Sequence, residues 1–326
     1  MSKQYLVTVI IPIYNVRNYI ARCATSLMKQ TLCDVEFIFV NDASPDDSIN
    51  ILQSVLEKFP KRLHDVVILS HSENKGLPAA RNTGIQRARG KYIFHCDSDD
   101  YVDSSMLQDM YEFAEDNNAD IVWTDWYLSM SNKERYMSMP DFETPQEAVK
   151  AMLSGGMKYN VWNKFVKASL YTQNAILFPS GYGMGEDLTM IKLFAFADKV
   201  VHLSKAYYHY NKTNSAAFSQ TYSDKHLIEL RHNVDELSKF VLDKFGIDYE
   251  LEIAFLKLEA KFPFLLFPDT DKIKIWKSWY PEANKFIKLN KNITKRNRML
   301  QQWAAKDLWL LVKGYNILFN KLIMLR

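Results

Sequence analysis

The chain has 326 residues, 48% of them hydrophobic and 24% charged, which suits a sizeable folded core and excludes a disordered chain. Its 41 basic and 38 acidic residues leave a formal charge of +3, too small to argue for a nucleic-acid partner. Cys23, Cys33 and Cys96 are odd in number and lack metal-type spacing, so they read as small buried hydrophobes in a reducing compartment. Met1-Ser2-Lys3-Gln4 enters a strand too short for a signal h-region, and no run reaches the ~18 apolar residues that span a bilayer. A cytoplasmic protein is expected.

Residues 7–13 form a continuous apolar run, the pattern of a strand buried on both faces. A helix over 18–28 follows, with Ile20, Cys23, Ala24 and Leu27 at helical spacing, and then a second buried strand over 35–40. Ser44-Pro45-Asp46-Asp47 reads as a helix start with Ser44 at the N-cap. The helix it opens carries Ile49, Leu52, Val55, Leu56 and Phe59 on one face. Strands over 65–69 and 91–96 bracket a helix over 78–89. A helix over 103–117, with Leu107, Met110, Tyr111 and Ala114 inward, leads to a fifth strand over 119–124. This βαβα order predicts a mostly parallel sheet flanked by helices, with ligands at the carboxyl ends of its strands. Past residue 125 the alternation stops. Short helices are expected over 145–153 and 161–171, a glycine-rich loop over 181–185 and a helix over 186–196. Short strands over 200–203 and 207–210 precede a helical stretch from about 223 onward.

The apolar strand Tyr92-Ile93-Phe94 runs into Asp97-Ser98-Asp99-Asp100, three carboxylates within four positions. Crowded like charges cost stability unless a cation sits among them, and hard divalent cations prefer such oxygen donors. The plainer reading is a polar turn, with Asp103 capping the next helix. Asp42, at the exit of the second strand, could accept a hydrogen bond from a nucleobase imide or ribose hydroxyl, or simply form a turn. Tyr14 and Asn15 leave the first strand on the same sheet edge, where Tyr14 could stack on a base. Lys75 and Arg81 supply cations suited to a diphosphate or to the Asp cluster, while small Ala79, Ala80 and Gly84 let their helix pack closely. Glu186 and Asp187 stand where the glycine loop meets a helix; either could take a proton, or both could serve the helix dipole.

Val9-Ile10-Ile11-Pro12-Ile13-Tyr14-Asn15, Val40-Asn41-Asp42-Ala43-Ser44-Pro45-Asp46, residues 74–85 and Asp97-Ser98-Asp99-Asp100-Tyr101 together resemble the inverting glycosyltransferases of family 2, which have the GT-A fold. The match is in order and spacing over about the first hundred residues; one departure is Asn41, where the family usually has a second Asp. More loosely, Val161-Trp162-Asn163-Lys164-Phe165-Val166-Lys167 and Met184-Gly185-Glu186-Asp187-Leu188 look like acceptor-side segments, and Tyr208-His209-Tyr210 with Asn214-Ser215 like a loop that closes over the donor.

The resemblance implies transfer from a nucleotide-diphosphate sugar, most simply a UDP-sugar, to a hydroxyl of a glycan or lipid-linked glycan in bacterial surface polysaccharide assembly. It implies donor binding by Pro12, Tyr14, Asn15, Asp42, Lys75, Arg81, Asp97 and Ser98, and Mn²⁺ or Mg²⁺ held by Asp97 and Asp99 with Asp99 the direct ligand. The acceptor side would use Trp162, Asn163 and Lys164. The base maps onto Asp187, with Glu186 the alternative, and His209 is a lid residue, a metal ligand or structural. Two rivals are a sugar nucleotidyltransferase, which needs a glycine-rich loop where Pro12-Ile13-Tyr14-Asn15 stands, and a non-catalytic nucleotide-binding relative. The expected division is a GT-A domain over 1–220, with a nucleotide-binding half over 1–125 and an acceptor-side half over 126–220, and a helical C-terminal region over 221–326.

From Lys291 onward eight basic residues face Asp307 alone, and the last twenty residues mix large apolar side chains with Trp309 and Tyr315. That composition suits a helix lying in an anionic membrane interface, peripheral on the inner face of the cytoplasmic membrane, or a helix docked on the protein's own core.

Overall fold

The structure is a computed structural model describing residues 3–183, 185–213 and 224–324. Strands β1 (Tyr5–Ile13), β2 (Val35–Asn41), β3 (Val66–Ser70) and β4 (Gly90–His95) run parallel, with β1 pairing β2 on one side and β4 on the other. Their inward and outward residues are alike apolar: β1 and β2 are buried along nearly their whole length. Helices α1 (Ile20–Met28), α2 (Ser48–Leu56) and α3 (Leu77–Arg87) make the crossovers. A two-residue β5 (Tyr101–Val102) and α4 (Met106–Asp116) follow, then a hairpin of β6 (Ile121–Met130) and β7 (Lys133–Met137). After α5 (Pro145–Leu153) come β8 (Lys164–Lys167), α6 (Ala168–Gln173), α7 (Glu186–Phe196) and β9 (Val200–Asn211). Among the described residues these strands form one sheet in the order β3-β2-β1-β4-β8-β6-β9-β5, with β7 attached to β6. It is the mostly parallel, helix-flanked sheet that the pattern predicts.

Several local expectations are corrected: Cys33 is exposed, unlike the buried Cys23 and Cys96, and Ser105 rather than Asp103 stands at the N-cap of α4. Residues 161–171 are not one helix: a single helical turn at Val161–Asn163 leads into β8, which inserts antiparallel between β4 and β6. Phe165 and Val166 are both fully buried, so a four-residue strand covered on both faces loses the alternation that would identify it. Ser44 is not an N-cap, because α2 begins at Ser48. Asp46 instead gathers the hydroxyls of Ser44 and Ser48 and the amide of Arg17, and these bonds hold its carboxyl below the usual range against the effect of burial. The strands expected at 200–203 and 207–210 are one strand, β9, whose parallel pairing with β6 shifts register on either side of Asp125.

By internal contacts the chain divides into two compact units, residues 1–147 with 159–229, and residues 148–158 with 230–326. The first holds the sheet. The second holds most of α8 (Asp224–Phe245), with α9 (Glu250–Lys261), α10 (Thr270–Ser278), α11 (Lys295–Ala305) and α12 (Trp309–Met324). Its core includes the buried ammonium of Lys261, which donates to the Trp279 carbonyl (2.9 Å) and Asn284 Oδ1 (2.7 Å) and lies 4.1 Å from the centre of the Trp276 ring. Burial lowers its pKa to about 8. One side of α12 packs within this unit: Val312 and Asn316 are buried, and Asn316 Nδ2 donates to the Leu265 carbonyl. The other side exposes Leu310 (87%), Leu318 (64%), Ile317 (56%) and Leu311 (48%). Of the described residues, no helix is long and apolar enough to cross a membrane.

In the first unit α3 lies close on β1. A Cβ on Gly84 would come within 2.4 Å of Ile10 Cγ2. Gly84→Ala is expected to cost about 1–3 kcal/mol in chemical denaturation through overpacking. Because the clash is with that one side chain, the cost should fall when Ile10 is already Ala; strict additivity of the two changes would contradict the contact.

Candidate active site

The parallel strands all end at one edge, and the charged residues collect there. β4 ends at His95 and hands the chain to Asp97, whose Oδ1 accepts from Arg81 Nη2 at 2.9 Å. Arg81 comes from α3 and is 1% exposed; its other arm, Nη1, donates to Glu186 Oε1 at 2.7 Å. Burial opposes the guanidinium's charge, but the Glu186 and Asp97 carboxylates outweigh it and raise its pKa. The next residue on α3, Asn82, donates to the Phe178 carbonyl and accepts from the Phe178 amide, both at 2.8 Å. Two consecutive side chains of one helix thus hold the segment that leads into α7. That segment approaches closely enough that Gly185 tolerates no side chain, since a Cβ there would lie 2.0 Å from Pro179 Cγ.

Glu186 and Asp187 form the first turn of α7, where the helix dipole favours carboxylates. Their environments differ. Glu186 is 29% exposed and tied to Arg81, whereas Asp187 is 4% exposed. Burial pushes the Asp187 carboxyl up to about 7, opposed by the Leu188 amide that donates to it at 2.8 Å. Lys164, 1% exposed, is pushed the other way, down to about 7, by burial that the field of Glu186 only partly offsets. Its Nζ donates to the Asn160 carbonyl (2.8 Å) and to Asn163 Oδ1 (2.9 Å), while Asn163 Nδ2 donates to the Thr124 carbonyl.

Asp97, Asp99 and Asp100 differ in the same way. Asp97 and Asp99 are partly exposed, whereas Asp100 is buried. Burial, with the charges of Asp99 and Asp97, pushes the Asp100 carboxyl well above its ordinary range. Tyr208 Oη donates to Asp100 at 2.6 Å and accepts from the Asp97 amide at 3.1 Å, and the Asn211 amide donates to Asp100 at 2.7 Å. Ser98 is buried between the two outer carboxylates in sequence. Two partly exposed carboxylates are hard oxygen donors that fit Mg²⁺ or Mn²⁺. Among the described residues no group of three or more His, Cys, Asp or Glu is arranged to hold a metal ion, so any cation here needs further oxygens from substrate and water.

The remaining sequence-derived residues have partners of their own. Asp42 is 3% exposed and accepts from the amides of Lys75 (2.9 Å) and Gly76 (2.8 Å) and from His71 Nδ1 (2.6 Å), whose Nε2 meets Thr83 Oγ1 at 2.9 Å. Its carboxylate shapes the 75–76 turn, and Lys75 reaches it through the backbone. Pro12 is buried in β1. Tyr14 is 48% exposed, and Asn15 takes a left-handed conformation with its amide donating to Ser44 Oγ. Trp162 is buried against Tyr208, 4.6 Å between ring centres. His209 alternates to the other sheet face from Tyr208. There it is stacked between Tyr101 and Tyr127, with Nδ1 2.7 Å from Glu134 and Nε2 3.2 Å from Asp103. Met184, Asn214 and Ser215 lie outside the described residues. Sequence reasoning missed His71 as the partner of Asp42 and Tyr208 as the partner of Asp97 and Asp100. Only strand register and loop conformation bring these to the site.

A family model described as glycosyl transferase family 2 matches residues 8–184. The uncharacterized glycosyltransferase EpsJ of Bacillus subtilis is 34% identical over 234 residues, 68% of this chain, and the match spans 66% of EpsJ's own length. The solved structure of S. aureus TarS 1–349 in complex with UDP-GlcNAc superposes with a TM-score of 0.70 at 21% identity, covering 94% of this chain and 90% of that one. The mannosyltransferase PcManGT from Pyrobaculum calidifontis, in complex with GDP-Man and Mn²⁺, follows at 0.53 and 15%, covering 98% and 89%. At these identities the structural likeness establishes the fold, which is of the GT-A type.

Asp187 has a stability signature. Its carboxyl binds protons more tightly folded than unfolded, so its ionisation destabilises the fold progressively as pH rises from about 4 to about 7. Asp187→Asn removes that cost, by at most about 4 kcal/mol from three pKa units. The variant's Tm should exceed the parent's by an amount that grows between pH 5 and pH 8; a gap independent of pH would contradict the buried carboxylate.

Proposed function

The chain belongs to glycosyl transferase family 2, and we infer that it moves a sugar, with inversion, from a nucleotide-diphosphate sugar to an acceptor hydroxyl. The observation that carries the reading is the Arg81 bridge, which ties Asp97 and Glu186 to one guanidinium and so brings the Asp-rich strand end and the Glu186–Asp187 turn to one spot. A UDP-sugar is the favoured donor, supported by the UDP-GlcNAc bound to TarS. Bacterial surface polysaccharide assembly, with a glycan or lipid-linked glycan as acceptor, is the setting the family suggests.

Asp97 and Asp99 would hold Mn²⁺ or Mg²⁺, which when bound neutralises the charge developing on the departing diphosphate. Asp187 takes the proton of the attacking hydroxyl as the new bond to the anomeric carbon forms and the bond to the diphosphate oxygen breaks. A carboxyl with a pKa near 7 is matched to that task, because a stronger acid makes a weaker base. Glu186 is the poorer candidate, its carboxylate being engaged by Arg81. Asp42 fixes the turn that borders the donor side, and Tyr14 offers an exposed ring to the base. The exposed apolar side of α12, within a stretch whose charge is strongly positive, docks on an anionic membrane surface where a lipid-linked acceptor would be met.

Three outcomes are expected. Asp187→Asn should lower turnover about 10²–10⁴-fold while UDP affinity, read by titration calorimetry, stays within about threefold; an active variant refutes the assignment. The rate of the parent should rise with pH towards a plateau with its midpoint near pH 7, since only the ionised Asp187 accepts a proton. Leu310→Asp with Leu318→Asp, both at exposed positions, should leave thermal stability unchanged and abolish sedimentation with vesicles rich in anionic lipid. Unchanged sedimentation would remove the membrane from the account.

A further inference from the structure

β6 and β9 run parallel, with Trp126 opposite Tyr208 and Leu128 opposite Tyr210, so these side chains share one face of the sheet. The pairing changes register on both sides of Asp125. Such an irregularity re-aims the residues beside it. It is pinned by the buried Asp125 carboxylate, which accepts from the Met139 amide (2.6 Å) and meets His202 Nε2 at 3.0 Å. Trp162, arriving from the turn before β8, lies nearly parallel to Tyr208 and to Tyr210, at 16° and 11° with ring centres 4.6 and 5.4 Å apart. Trp126 stands almost perpendicular to both Trp162 (80°, 5.1 Å) and Tyr210 (89°, 5.9 Å).

Burial divides the four rings. Tyr208 and Trp162 are buried, whereas Trp126 and Tyr210 are partly exposed. The buried pair therefore backs a right-angled corner whose accessible walls are Trp126 and Tyr210. The corner is anchored to the site, since Tyr208 Oη touches the Asp97 amide and the Asp100 carboxylate. Lys164, two residues after Trp162, lies in the field of Glu186.

We propose that Trp126 and Tyr210 form the acceptor subsite and select a pyranose ring, rather than an acyclic polyol, as the group that receives the sugar. A pyranose has rigid faces that carry axial C–H bonds, weakly positive and apolar, and that pack on the negative face of an aromatic ring, with hydroxyls around the edge that stay hydrated or hydrogen-bonded. A right-angled pair of rings meets one such face and one ring edge at once. An acyclic polyol has no rigid C–H face and loses more conformational freedom on binding. This inference rests on the transferase reading above.

The test uses the full chain with Mg²⁺ and saturating UDP, and reads magnetisation transfer by NMR from aromatic protons to methyl glycosides of glucose, galactose and N-acetylglucosamine, with ribitol as the acyclic comparison. Transfer concentrated on one C–H face of at least one glycoside, and at least about tenfold weaker for ribitol, is expected. Trp126→Leu and Tyr210→Leu, which keep apolar volume but lose the ring, should abolish it while UDP affinity stays within about twofold. Equal transfer to ribitol, or transfer that survives both variants, overturns the proposal. Loss of UDP affinity in either variant also overturns it, by assigning the corner to the donor. Failure of the parent chain to bind UDP at all is the separate result that removes the UDP-sugar donor from the transferase reading.

Discussion

One buried guanidinium organises the site. Arg81 has almost no exposed surface, and a charge in that position is tolerated only when well paired. Its two arms end on carboxylates 89 residues apart in sequence, Asp97 after β4 and Glu186 at the start of α7. Its Nε lacks a partner among the described residues, so the two carboxylates carry its compensation. The same helix turn supplies Asn82, whose two bonds to the Phe178 backbone hold the approach to α7. The position of Asp187 follows from that anchoring, because it is the residue next to the one Arg81 grips.

A second constraint is the crowding of Asp97, Asp99 and Asp100. The protein resolves part of it internally: burial and the charges of Asp99 and Asp97 push the Asp100 carboxyl well above its ordinary range, while hydrogen bonds donated by Tyr208 and the Asn211 amide oppose that shift. Asp97 and Asp99 stay partly exposed at the strand end. Alternation along β9 separates two jobs. Tyr208 and Tyr210 face the carboxylates and the aromatic corner, while His209, on the other face, fastens β5, β9 and the β6–β7 hairpin through Asp103 and Glu134.

The first hundred residues were legible because parallel strands buried on both faces read as unbroken apolar runs, as residues 7–13 and 35–40 do. The second half was less so. β8 has four residues between a helical turn and α6, and its burial on both faces removed the period-two signal. β9 looked like two strands because its middle, Ser204-Lys205, is exposed where the pairing with β6 slips. Within the site, carboxylates at a strand end and at a helix start were recognisable as chemistry-bearing types. The three bonds that Asp42 makes to His71 and the 75–76 turn were not, since they depend on a loop conformation that no pattern encodes. Nor could periodicity pair Tyr208 with Asp97, because that contact is set by where β9 lies in the sheet.

The most direct measurement is a donor screen on the purified chain with Mn²⁺, incubating UDP-, GDP- and dTDP-sugars and reading release of the free nucleoside diphosphate. The account predicts release from a UDP-sugar, abolished by chelator and by Arg81→Met, which would dissolve the link between Asp97 and Glu186. No release and no UDP binding under any of these conditions would contradict it.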